Sequence, residues 1–316
     1  MKAARAAAVA VATIVSVGIS APPAAASLQP SDRGRGECLR SAEGAAAARV
    51  RPGATVEDPG TVTRAEQRSM ERQLRRQLQQ VQSGATPEPG SVRVPVRVHI
   101  LLRNNGTGGV SGRQVRRQMR VINRAFGGQT ADDAAATPFK FVLKSIDRTR
   151  KTDWYNWSVY DNDDTQAKRA LHQGRTNTLN VYIAGLQDGL LGYAYFPVPS
   201  PRYLDGLVIL NESLPGGSAA PYNKGDTATH ELGHWLNLYH TFQNGCSTPG
   251  DNVADTPRQD DGNNVFSCDE ALDTCTAPGL DPVHNFMNYS VDQCMNRFTQ
   301  GQADRMYAAW EALRAV

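Results

Sequence analysis

The residues with the most chemistry in this 316-residue chain form the run His230-Glu231-Leu232-Gly233-His234-Trp235-Leu236-Asn237-Leu238-Tyr239-His240. On a helix, positions i and i+4 share a face, so His230 and His234 can present two imidazoles to one ion. Zinc has no geometric preference of its own; three nitrogen ligands leave a fourth position for water, whose pKa falls toward neutrality. Glu231 adjoins the first imidazole and can reach that water. It is the candidate general base, taking the proton during attack on a peptide carbonyl and passing it to the leaving amine. His240 does not follow at a helical spacing for the same face. It becomes the third ligand only if the helix ends and the chain turns back through a residue that tolerates left-handed backbone. Glycine does so most easily and asparagine next, so Asn237 fits. With only six histidines in the chain, a chance match to the short pattern is rare, and the third histidine weakens the competing reading of an idle surface helix.

The elements around the motif must hold it. Val92, Val94, Val96, Val98 and Ile100 alternate with Arg93, Arg97 and His99, a period-2 strand with one buried face. Ser111 caps a helix with Val115, Met119, Ile122 and Phe126 on one side. Further strands are expected at Phe139 to Ile146, Leu179 to Ala184 and Leu207 to Leu210, with the segment Gly192 to Phe196 before the last of them. The motif helix covers 227–237, a long loop-rich region follows, and a helix from about Thr299 to Leu313 closes the chain. Alternating strands and helices predict a mixed α/β domain over residues 91–316. Residues 27–90 differ: they are rich in Pro and Gly and offer one helical stretch, Arg64 to Gln82, with a narrow stripe of Met70, Leu74, Leu78 and Val81. That is the composition of a removable pro-segment or linker.

Residues 1–26 set the compartment. Lys2 and Arg5 precede an Ala/Val/Ile run, and Ala24-Ala25-Ala26 supplies a small-residue cleavage pattern, so a secretory signal peptide cut after Ala26 is expected. The chain is therefore read as secreted and extracellular. Cys246, Cys268, Cys275 and Cys294 cluster late, where an oxidising compartment would form two disulfides in one of three pairings, and Cys38 is left over. A net charge of +3 gives no reason to propose nucleic acid or a stable membrane association. A monomer is the default. After the histidines come Asp251, Asp255, Asp260, Asp261, Asp269, Glu270, Asp273 and Asp281 against the single basic Arg258, a loop whose oxygens suit calcium. His99, His172 and His284 are assigned ordinary structural roles.

The long histidine motif, with Asn285-Phe286-Met287-Asn288-Tyr289-Ser290 as a methionine-containing turn, resembles the metzincin metallopeptidases. Within them, His230 to His240 followed by Thr241-Phe242, Gly250-Asp251-Asn252-Val253-Ala254-Asp255-Thr256-Pro257, and Cys294-Met295-Asn296-Arg297-Phe298-Thr299 are similar to the pappalysin (cytophagalysin) family. Asn237 in place of the usual glycine is the departure. The resemblance implies a twisted mixed sheet with an active-site helix, a loop-rich disulfide-bearing lower subdomain and a C-terminal helix. It also implies a zinc endopeptidase acting on proteins or peptides, with His230, His234 and His240 as ligands and Tyr289 stabilising the oxyanion. Asp251, Asp255 and Thr256 become the calcium candidates, and the pairing becomes Cys246 with Cys275 and Cys268 with Cys294. Substrate is expected to add as a strand along Gly192 to Tyr195, and Cys38 to hold the enzyme latent from a pro-segment. Some relatives select basic side chains through an acidic residue just before the last cysteine; here that residue is Gln293, so no such preference is inferred. The competing class is a metzincin-like domain that binds zinc without turnover, which only Asn237 encourages.

Overall fold

The computed structural model describes residues 46–54, 62–81, 85–158, 163–197 and 202–315; the expected signal peptide and Cys38 lie outside them. Six strands form one mixed sheet: β1 (Ala46–Val50), β2 (Val92–Leu102), β3 (Phe139–Arg150), β4 (Leu179–Ala184), β5 (Leu190–Tyr195) and β6 (Leu207–Leu210). Their spatial order is β1-β5-β6-β4-β2-β3. β2 runs parallel to both β3 and β4, and β4 parallel to β6, whereas β5 is antiparallel to β6 and β1 antiparallel to β5.

The parallel strands are covered on both faces, as crossover connections require. One face packs Val94, Val96, Val98 and Ile100 against Val115, Met119 and Ile122 of α2 (Gly112–Ala125), which starts at the expected Ser111 cap closed by Gln114. The same cluster takes in Ala228, Leu232 and Trp235 of α5 (Asp226–Trp235) and Met306 and Trp310 of α6 (Gln300–Leu313). The other face collects Tyr182, Tyr193 and Tyr195 with residues around α3 (Thr152–Tyr155) and α4 (Asp163–Leu171). His99 is therefore buried rather than solvent-facing, held between Asp147 (2.8 Å) and Asn180 (3.0 Å) and stacked on Tyr182. Lys168 of α4 is buried behind the edge of the sheet beside Tyr193 and Tyr195, and burial pushes its amine down to about 8.

The helix read as part of a removable segment, α1 (Arg64–Leu78), is seated on α6: Leu74 packs with Ala309 and Ala312, and Glu71 pairs with Arg305. Glu71 also accepts from the Tyr239 hydroxyl (3.1 Å), and Gln67 donates to Gly250 O (2.9 Å). The loop-rich region between α5 and α6 is closed by the disulfides Cys246–Cys275 and Cys268–Cys294, the pairing the resemblance implied. No described helix is long and apolar enough to cross a membrane.

Candidate metal centre and cleft

α5 ends for a local reason. Asn237 adopts φ +74°, and Leu238 N donates back to Gly233 O (2.9 Å) as the chain reverses. Left-handed backbone costs most residues roughly 1–2 kcal/mol, and asparagine less. The reversal delivers His240. The three Nε2 atoms then lie 3.0 Å (His230–His234), 3.1 Å (His234–His240) and 3.2 Å (His230–His240) apart, all buried.

The tautomers are set by the neighbours. His230 Nδ1 lies 2.7 Å from Phe286 O, and His234 Nδ1 2.8 Å from Leu238 O. A carbonyl only accepts, so both Nδ1 atoms carry the proton and both Nε2 atoms present lone pairs to each other. Lone pairs at that distance repel unless a cation sits among them. Nitrogens bound tetrahedrally at zinc–nitrogen bond lengths would be roughly 3.3 Å apart, so the donor set fits zinc. Burial pushes His234 down to about 3, and burial followed by the neighbouring imidazoles holds His230 and His240 well below their ordinary value. All three are neutral, as ligands must be.

Met287 lies directly under the helix. A Cβ built on Gly233 would overlap its sulfur, so glycine here is a packing requirement. Gly233→Ala should destabilise the domain by about 1–3 kcal/mol and weaken metal retention; thermal melts with and without added zinc measure both.

β5 is paired with β1, the outer strand of the sheet on that side, so the place expected for substrate holds a segment of the chain itself. In that register Arg49 faces Gly192, and a Cβ on Gly192 would come within 3.1 Å of Glu231 Cγ; glycine leaves the carboxylate its room. Ala48 O accepts from the Tyr289 hydroxyl at 2.7 Å and lies 3.2 Å from His240 Nε2. Arg49 N donates to Glu231 Oε1 at 3.0 Å. The Arg49 guanidinium is buried, donating to Asp292 Oδ1 (2.7 Å), Thr227 Oγ1 (3.1 Å) and Ser290 O (2.6 Å) beneath the Tyr222 ring.

Asp292 serves two structures at once. Its other oxygen accepts from Lys224 N (2.8 Å), Gly225 N (3.1 Å) and Asp226 N (3.4 Å), the first amides of α5, where a negative charge is favoured. Sequence reasoning stopped at Gln293 and missed Asp292 one position earlier; the acid two residues before a disulfide cysteine was the available signal. Arg49 was missed as well, because an Ala-rich run gives no hint of a strand that only a waiting edge can order.

Burial, then repulsion from Asp292, raises Asp226 from 3.8 to about 8. The folded chain thus binds this proton more tightly than the unfolded one. Its contribution to stability is complete below pH 4 and is lost as pH rises through 8. Asp226→Asn, which stays neutral, should gain Tm over the parent increasingly from pH 4 to pH 8; equal differences at both ends would contradict this.

The acidic loop is partly assembled. Asp251 is buried, its carboxyl pushed up to about 7 by that burial, and it lines one cavity together with Thr256, whose hydroxyl is the side-chain partner beside it. Asp255 points elsewhere, accepting from Thr299 Oγ1 and Gly301 N (each 2.8 Å) at the start of α6. His99 and His284 hold structural partners, the latter Cys294 O and Glu270.

Comparison with known proteins agrees with this geometry. The Peptidase_M43 family model, described as pregnancy-associated plasma protein-A, matches residues 161–311. Extracellular metalloprotease 1 of Coccidioides posadasii is 40% identical over 231 residues, covering 71% of this chain and 79% of its own. An extracellular metalloprotease of Verticillium alfalfae is 41% identical over 239 residues, 73% and 81% of the two chains. Among solved structures, a promirolysin mutant of Tannerella forsythia superposes with a TM-score of 0.66 at 29% identity, over 79% of this chain and 90% of that one. Mature mirolysin in complex with a cleaved peptide gives 0.61 at 31% identity, over 72% and 97%.

Proposed function

The chain belongs to the pregnancy-associated plasma protein-A family of metalloendopeptidases, and from that premise we propose that it is an exported zinc endopeptidase, made latent, that cuts before basic residues. The observation that carries the zinc chemistry is the convergence of three Nε2 atoms, two of which, on His230 and His234, present lone pairs because their Nδ1 protons are fixed on carbonyls. Zinc held by His230, His234 and His240 would supply a Lewis acid and a water of lowered pKa. Glu231, adjoining that position, takes the proton of the attacking water and delivers it to the departing nitrogen. Tyr289 donates its hydroxyl to the carbonyl oxygen and stabilises the charge that develops there. β5 aligns the substrate backbone as an added strand, and Asp292 selects an arginine or lysine side chain at the pocket that Arg49 fills.

Latency is supported by β1, which covers the cleft, and Cys38 would add to it. Export is supported by relatives named extracellular and by the expected signal peptide. Calcium at Asp251, Asp255 and Thr256 is supported by the shared cavity of Asp251 and Thr256, less so by Asp255, whose oxygens already serve α6. The alternative of a zinc-holding domain without turnover depended on Asn237, and Asn237 makes the required turn.

The test is metal removal. Purified, processed protein should carry one zinc per chain and hydrolyse casein; a chelator should abolish hydrolysis and added zinc restore it. Failure of the zinc-loaded form to cut anything in a broad peptide library would overturn the proposal.

A further inference from the structure

We propose that Arg305 of α6 and Glu71 of α1 clamp the turn from Asn237 to Tyr239, and that this clamp sets how firmly His240 holds zinc. The inference rests on the function proposed above. It goes beyond it by assigning two positioning residues that act through the turn rather than on the metal.

His230 and His234 ride on α5, so the helix itself sets their separation. His240 arrives through a left-handed residue, and its place is only as firm as that turn. At φ +74° asparagine carries a steric cost that glycine does not. Arg305 Nε donates to the Asn237 carbonyl at 3.0 Å. The guanidinium also lies over the Tyr239 ring, 5.0 Å from its centre, and pairs on its far side with the Glu71 carboxylate. That carboxylate accepts from the Tyr239 hydroxyl at 3.1 Å, across 168 positions of sequence. One cation and one anion therefore hold both ends of the tripeptide that precedes His240.

The chain is gripped again just beyond His240. Gln243 Nε2 donates to Val62 O at 2.6 Å, and Asn244, also left-handed at φ +64°, donates through Nδ2 to Gln67 of α1 at 2.8 Å. The third imidazole is thus bracketed by contacts from α1 and its approach. Glu71 and Arg305 depend on each other, because an arginine this far out of water needs a counter-charge to stay where it is. A second buried arginine provides the contrast. Arg314, just past α6, donates to Trp235 O at 2.8 Å and pairs with Asp205. It fixes the last turn of α5, two residues short of the left-handed position, and so supports the helix rather than the turn.

The test is zinc release from the loaded full chain into an excess of a chromophoric chelator, well below the melting temperature. Arg305→Met should release zinc about tenfold to a hundredfold faster than the parent. Glu71→Gln, which keeps the shape of α1 and serves if Arg305→Met does not fold, should shift release in the same direction. The decisive readout is coupling to residue 237. In an Asn237→Gly chain, whose turn is comfortable unaided, Arg305→Met should change release by less than about threefold. Arg314→Met should lower Tm and show no such coupling. Cobalt in place of zinc should give weaker d–d absorption in Arg305→Met, as the third imidazole loosens. Unchanged release in both Arg305→Met and Glu71→Gln, or the same acceleration with glycine at 237, would overturn the clamp. If the parent holds one zinc and release ignores these substitutions, only this inference falls. If the parent holds no zinc, the proposed function falls with it.

Discussion

Glu231→Gln should lower kcat on an unstructured protein by about 10²–10⁴-fold while one zinc per chain and the melting behaviour of the fold are kept. The reason is positional. Glu231 is next to His230 on α5 and its Oε1 accepts from Arg49 N in the cleft, so the side chain reaches the cleft without belonging to the cluster of three imidazole nitrogens. Glutamine preserves the shape but cannot accept and return a proton. A mutant that loses zinc together with activity would instead make Glu231 a structural support of the metal. Metal analysis and casein hydrolysis on the same preparation distinguish the two.

The second large effect is expected at Asp292. Asp292→Asn keeps an oxygen for the three amides at the start of α5 but removes the charge that faces the guanidinium. Breaking one side of such a desolvated pair costs about 2–5 kcal/mol, so kcat/KM for peptides with arginine after the cut should fall by roughly 30-fold to several thousandfold. Peptides with a neutral residue at that position should change little. Uniform loss across the library would mean that the carboxylate matters only as the cap of the helix.

The histidine cluster was legible in the sequence because its spacing is local. His230, Glu231 and His234 sit within about one turn of α5, and Asn237 marks the reversal that brings His240 to them. Side-chain alternation placed β2 and the Ser111 cap placed α2, since both are decided within a few residues. What was not legible depends on partners distant in sequence. β1 is an Ala-rich run that becomes a strand only by pairing with β5, and Arg49 acquires meaning only when Asp292, 243 positions away, meets it. α1 looked marginal because its apolar stripe is narrow; its partner is α6, at the other end of the chain. His99 looked solvent-facing from alternation, but α3 and α4 cover that face.

The bridge between Cys268 and Cys294 closes the 26-residue span that includes Met287, Tyr289 and Asp292. Closing a loop of that size contributes on the order of 3 kcal/mol. Opened by a thiol-rich cytosol, it would leave the Met287 sulfur beneath the helix, the Tyr289 phenol and the Asp292 carboxylate on a slack tether. Catalytic competence is thereby tied to the electron poise of the surroundings: wherever free thiols hold that bridge open, the chain would be a feeble cutter.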